Sequence, residues 1–152
     1  MQLHSICTTK QRPCGYMLLI NMSPKHEQNM KEALVSPDLS VEIVDSPVPE
    51  PGPGDVLIKV FCAGCNPKDW KAPSYGNKTI NSGDDMAGKV VSCGRDVMGF
   101  RVGDRVAAFH QMYIAHGAFA EYAIAPASTT FHIPDSVSYK EESSPHMANE
   151  SL

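Results

Sequence analysis

Glycine and proline interrupt this chain so often that no long helix fits between them. The 152 residues include 12 prolines and 11 glycines, and the short runs they separate partly alternate apolar and polar residues, the period of a strand with one buried face. The densest interruption is Ser46-Pro-Val-Pro-Glu-Pro-Gly-Pro-Gly54. Its prolines cannot donate to a sheet ladder, so it reads as an extended connector rather than a helix or central strand. Upstream, residues 31–35 and 39–44 read as two strands joined at Ser36-Pro-Asp38, with Leu39, Val41 and Ile43 on one face. Downstream, residues 55–61 form a strand and residues 83–94 a turn and strand, in which Gly88 marks a bulge or a close backbone approach. Residues 105–109, 118–125 and 129–133 complete a series of short strands. The expected class is mainly β, a small barrel or sandwich, with little helix.

Composition narrows the function. Net charge is −4 and no basic run occurs, which argues against a nucleic-acid surface. No apolar run approaches the roughly 18 residues of a membrane span. Met17-Leu-Leu-Ile20 is shorter than the apolar core of about 7–15 residues in an export signal. The five cysteines form an odd set that reads as reduced thiols, so a cytoplasmic location is expected. Residues 1–29 hold no helical or strand period and read as a poorly ordered extension. Residues 30–142 read as one domain. Ser138-Tyr-Lys-Glu141 has the form of a helix-starting capping box, yet Pro145 would break that helix in its second turn. Residues 143–152 therefore read as a tail, and the chain as one cut short.

Polar chemistry gathers where the strand of residues 55–61 ends, in Cys62-Ala-Gly-Cys65-Asn66-Pro67-Lys68-Asp69-Trp70-Lys71. Gly64 tolerates an unusual backbone, and Pro67 suits the start of a short helical turn over 68–71, with 72–82 a loop. Strand ends of this kind commonly carry sites. Cys62 and Cys65 lack the second pair that a metal knuckle needs and read as two small packing residues. Asp69 orders the turn, and Trp70 reads as a packing anchor. Lys68 and Lys71 are either site donors or solvated charges. Asp84 and Asp85 read as turn residues making local backbone hydrogen bonds, with weak binding of a cation as the rival reading. His110 and His116 read as loop histidines at the surface or in hydrogen bonds, with lining of a substrate cleft as the rival reading, and His132 as structural.

Five signatures stand in order: Pro47-Val-Pro-Glu-Pro-Gly52, Gly64-Cys-Asn-Pro-Lys-Asp-Trp-Lys71, Gly83-Asp-Asp-Met-Ala-Gly88, Gly103-Asp-Arg-Val106 and Gly117-Ala-Phe-Ala-Glu-Tyr122. From Met30 to about Glu142 the chain resembles the N-terminal, GroES-like domain of medium-chain dehydrogenase/reductases. The closer resemblance is to ToxD-type, zinc-type-alcohol-dehydrogenase-like oxidoreductases and trans-acting enoyl reductases. It implies a GroES-like, partly open β-barrel with a few short helices, followed by a Rossmann domain that binds NADPH. No Gly-x-Gly-x-x-Gly fingerprint occurs in these 152 residues.

The resemblance also assigns residues. Asn66, Pro67, Lys68 and Lys71 match positions facing the cofactor and substrate cleft, and Lys71 matches the catalytic lysine of enoyl reductases. In the zinc-dependent branch a Cys-x-x-Asp and a Gly-His-Glu supply ligands. Here Asn66 stands at the cysteine position and Asp84 at the histidine position, and an amide does not replace a thiolate on zinc. No metal is expected. Hydride addition to an activated C=C makes an enolate that donors can stabilise without a metal, whereas zinc eases alcohol oxidation. The expectation is the substrate-side domain of an NADPH-dependent, zinc-independent reductase of activated double bonds, acting on a small molecule or acyl thioester. A non-catalytic fragment or stand-alone binding module is the alternative. Self-association is expected too, because a face that lacks its partner domain is apolar and exposed.

Overall fold

A computed structural model describes residues 28–139. The expected tail at 143–152 lies outside them, as do residues 1–27 of the expected extension and Lys140–Glu141 of the helix-start signal. Strands β1 (Asn29–Val35) and β2 (Val41–Pro47) form an antiparallel hairpin. Its turn is held by Asp38, whose carboxylate accepts the Ser40 hydroxyl at 2.7 Å and the Ser40 N–H at 3.0 Å. Those two bonds hold the Asp38 carboxyl below its usual range. Leu39 adopts a left-handed φ of 69° in that turn and so lies outside the strand. Val41 and Ile43 do share a face, but they are 62% and 63% exposed. The expected apolar stripe therefore looks outward, because alternation says which residues share a face and not which face is covered.

The main sheet contains β3 (Asp55–Ala63), β4 (Asp85–Cys93), β5 (Arg105–Phe109), β6 (Tyr122–Pro126) and β7 (Thr130–His132). All pairs are antiparallel, in the order β6-β3-β4-β5-β7. The sheet curls around a main core of Val56, Ile58, Met86, Val90 and Val106, closed by Ala108, Ala118, Ala123 and Ala125, and a smaller cluster gathers Ala87, Ala107 and Ile133. Each large side chain buried there contributes about 1.5–3 kcal/mol. The fold is mainly β, a curled, half-open barrel. Single bridges, Glu32 to Ala120 and Val35 to Ile80, tie the hairpin to it. Among the described residues no helix is long and apolar enough to cross a membrane.

Gly88 serves both expected purposes. A Cβ there would run into the Lys59 carbonyl and the Ile58 side chain. The β3–β4 register also shifts between Val60 and Cys62, opposite Gly88 and Ala87, a bulge that bends the strand leading into the polar corner.

The helix is longer than expected. Helix α1 spans Pro67–Gly76, so residues 72–76 are helical rather than loop. Pro73 removes one backbone donor but does not end the helix, because its ring is buried beside Ala72 and Asp69. The stop comes at Asn77, whose left-handed φ of 47° lets its N–H return to the Pro73 carbonyl.

Candidate active site at the start of helix α1

Asn66 precedes the first turn of α1 in extended geometry. Asp69 orders that turn as expected: its carboxylate accepts the Asn66 N–H at 2.7 Å, while its own N–H donates to the Asn66 carbonyl at 3.0 Å. The Asn66 amide is donated to the carboxylate of Asp85. Asp85 opens β4, so this bond ties helix to sheet.

Lys68 reaches the other way, into a buried acid pair. Its ammonium forms ion pairs with Asp84 and, at 3.1 Å, with Asp69, and donates to the Ser82 carbonyl at 2.6 Å. Three acceptors thus meet the three protons of one ammonium. Asp84 is almost wholly buried, so its side chain is part of an internal ion pair and not only a turn residue. Burial raises the Asp84 carboxyl above its usual range against the opposing pull of Lys68. Burial likewise raises Asp85, opposed by the Asn66 amide.

The rest of the corner is held by a residue the sequence did not single out. Asn81 donates its amide to Glu32 at 3.2 Å and to the Gly117 carbonyl at 2.9 Å, and its oxygen accepts the N–H groups of Gly83 and Phe119. All four bonds of one buried amide fix the segment that presents Ser82, Gly83 and Asp84. The only sequence signal was position, a polar pair directly before Gly83-Asp-Asp85.

The other nominated residues fall elsewhere. Lys71 is exposed, its ammonium 5.1 Å from the centre of the Trp70 ring. Trp70 is 55% exposed and is no packing anchor. Pro67 is exposed. Cys65 is also exposed and Cys62 half-buried, both as free thiols, so Cys65 does not pack as expected. Burial pushes the Cys93 thiol up, with Asp104 adding to the effect. His110 is buried beneath the corner. Its N–H donates to the Asp84 carbonyl at 2.8 Å, and its ring nitrogens face the carbonyls of Ile124 at 2.6 Å and Ile114 at 3.1 Å. Neither His110 nor His116 lines the cavity beside Lys68 or the neighbouring cleft. His132 stacks on Phe100 and bonds to Asp104 at the surface. Among the described residues no group of three or more His, Cys, Asp or Glu side chains is placed to hold a metal ion.

A curled antiparallel barrel with a one-helix polar corner defines a class. Residues 52–135 match the alcohol dehydrogenase GroES-like domain, and the chain belongs to that family. It is similar to the trans-enoyl reductase fsr4 of Gibberella fujikuroi, 49% identical over 114 residues, covering 74% of this chain and 34% of that protein. Among solved structures, the quinone oxidoreductase from Coxiella burnetii superposes with a TM-score of 0.68 at 26% identity, over 76% of this chain and 40% of that one. The cobalt- and zinc-bound thermostable alcohol dehydrogenase from Pyrobaculum aerophilum does so with a TM-score of 0.66 at 26% identity, over 76% and 44%. The chain thus spans about a third of the length of the curated relative.

Proposed function

We propose that this chain is the substrate-facing part of a cytoplasmic, NADPH-dependent and zinc-independent oxidoreductase of secondary metabolism. Its reaction is the reduction of activated C=C bonds of enoyl, enone or quinone type. One observation carries the zinc-independent half of that reading. The corner where metal-using relatives place zinc ligands, Asn66 and Asp84 in this chain, already holds a cation: the Lys68 ammonium, paired with Asp84 and Asp69. The amide of Asn66 is spent on Asp85. A zinc ion would have to displace Lys68 and would gain an amide where it prefers sulfur, nitrogen or carboxylate. The residues present do not fit zinc.

One group suits a nicotinamide nucleotide. Lys71 stands exposed beside the start of a ten-residue helix, and a free ammonium there suits the phosphate groups of a dinucleotide. Lys71 is assigned the catalytic position, with Asn66, Pro67 and Lys68 beside the cofactor. The bound cofactor would supply the hydride; the chain's own residues orient the acceptor and stabilise the negative charge that develops on its oxygen. The enoyl and quinone reductases among the relatives support that substrate class. The exposed Val41 and Ile43 support a face for self-association or docking.

The test is a chimera joining this chain to the remaining portion of the fsr4 reductase. The expected result is NADPH consumption with a trans-2-enoyl thioester, unaffected by a chelator, in protein carrying far less than one equivalent of zinc. Stoichiometric, tightly held zinc would overturn the metal-free half of the proposal. Absence of turnover on enoyl, enone and quinone substrates alike would overturn the reductase half.

A further inference from the structure

Beside the Lys68 ion pairs lies a buried hydroxyl they do not use. Ser82 is 2% exposed and its Oγ has no hydrogen-bond partner, a costly state for a buried hydroxyl. That residue lines a cavity of about 10 Å³ together with Lys68, Asp84, Met112 and Tyr113. Such a volume admits one oxygen-sized group and no chain of carbons. Met112 and Tyr113 also wall a second, larger cleft of about 450 Å³ with Phe109, Pro126 and Thr129. Its lining is largely apolar, and its size falls within the range of small-molecule sites. A small cavity of mixed lining and a larger apolar trough therefore share one partition.

We infer that Ser82 binds the carbonyl oxygen of an acyl thioester, while the acyl chain lies across Met112 and Tyr113 into the cleft beside Phe109. The ligand class is a thioester carrying an apolar chain. This rests on the reductase reading above and names the substrate for the same site. Lys68 cannot make that hydrogen bond, because its three protons already face Ser82 O, Asp69 and Asp84. It is a positioning residue: by holding the Ser82 carbonyl at 2.6 Å it fixes the backbone that carries the hydroxyl. Asn81 fixes the same segment through the Gly83 N–H at 3.3 Å. The hydroxyl brings one proton to an acceptor with two lone pairs. The small cavity takes only the oxygen, so the chain that follows the carbonyl must leave through the apolar side.

The experiment titrates the 152-residue protein, labelled at methionine methyls and backbone amides, by NMR. The probes are trans-2-octenoyl and octanoyl N-acetylcysteamine thioesters and the matching octyl thioether, which has no carbonyl. Both thioesters are expected to shift the Met112 methyl and Ser82 amide signals. Ser82→Ala should weaken thioester binding about tenfold, the loss of one hydrogen bond, and leave thioether binding unchanged. Because the hydroxyl is unpartnered in the free protein, Ser82→Ala should keep the wild-type thermal midpoint or raise it. Ser82→Cys, nearly isosteric with a weak donor, should bind with intermediate affinity. Equal thioester affinity in wild type and Ser82→Ala overturns the inference and leaves the cavity to a bound water. So does failure of the thioesters to bind. Ser82-dependent binding in a chimera with no turnover would uphold the oxygen site and sink the reductase reading. Turnover with unchanged thioester affinity in Ser82→Ala would do the reverse.

Discussion

Helix α1 carries two lysines one turn apart with opposite surroundings. Lys68, at the margin of the buried face formed by Asp69, Ala72 and Pro73, turns inward to two carboxylates and a carbonyl. Lys71 stands one step further round, in water, against the Trp70 ring. Their chemistry is the same and their helical environment nearly so. What separates them is the segment before β4, which places Asp84 opposite one and nothing charged within ion-pair distance of the other among the described residues. The role of a cation is decided by the carboxylate that tertiary structure brings to it, and a helix alone cannot specify that.

The largest effect should come from breaking the inward side. Lys68→Met leaves Asp69 and Asp84 buried and uncompensated and should cost about 3–5 kcal/mol in urea unfolding. The loss should shrink in acid, where a carboxyl can take up a proton; a pH-independent loss would mean that Lys68 acts by packing. Asp84→Asn is milder, because Asp69 and the Ser82 carbonyl still hold Lys68 and burial works against the ionised Asp84, and should cost no more than about 1 kcal/mol near neutral pH, the scale of one ordinary hydrogen bond. It also carries a pH signature. The Asp84 pKa is raised from 3.8 by burial, so its contribution is fully present below that value and is lost as pH rises through the folded-state value. The variant should lack that decline.

Asp104 supplies the opposite sign. Its carboxyl is lowered chiefly by the hydrogen bond to His132, so its contribution is present above the ordinary value and lost as pH falls through the folded one. Carboxyl titration by NMR should place Asp84 above 3.8 and Asp104 below it. The reverse order would refute the contrast between buried and surface acids. The smallest effect belongs to the outward side of α1: Trp70→Ala should change stability by no more than about 1 kcal/mol, the scale of an exposed cation–π contact. A larger loss would show that this ring is packed.

Much of this architecture was legible before any coordinates. Alternation located the strands, β5 at its observed bounds, and Gly88 announced a close approach that a side chain would block. Four features were not legible, each for a physical reason. Residues 72–82 looked like loop, but a short helix whose buried face includes the Pro73 ring tolerates one missing donor and runs on to Gly76. Val41 and Ile43 share the face expected of them, but the period leaves the cover of that face to other strands, and here it stays exposed. Lys68 was expected to be either a site donor or a solvated charge, and its ion pair was hidden because Asp84 meets α1 only through the β3–β4 pairing. Ser82 was invisible altogether, since lacking a partner is a property of surroundings and not of residue type.

The four bonds made by Asn81 have one more consequence. Hydrolysis of that amide to an acid, the slow ageing reaction of asparagine, would replace two donors with acceptors. The new carboxylate would face Glu32 and the Gly117 carbonyl, the partners the amide now satisfies. One spontaneous chemical event would then loosen the segment carrying Ser82 and Asp84 while leaving the core strands untouched, so the polar corner would age before the barrel does.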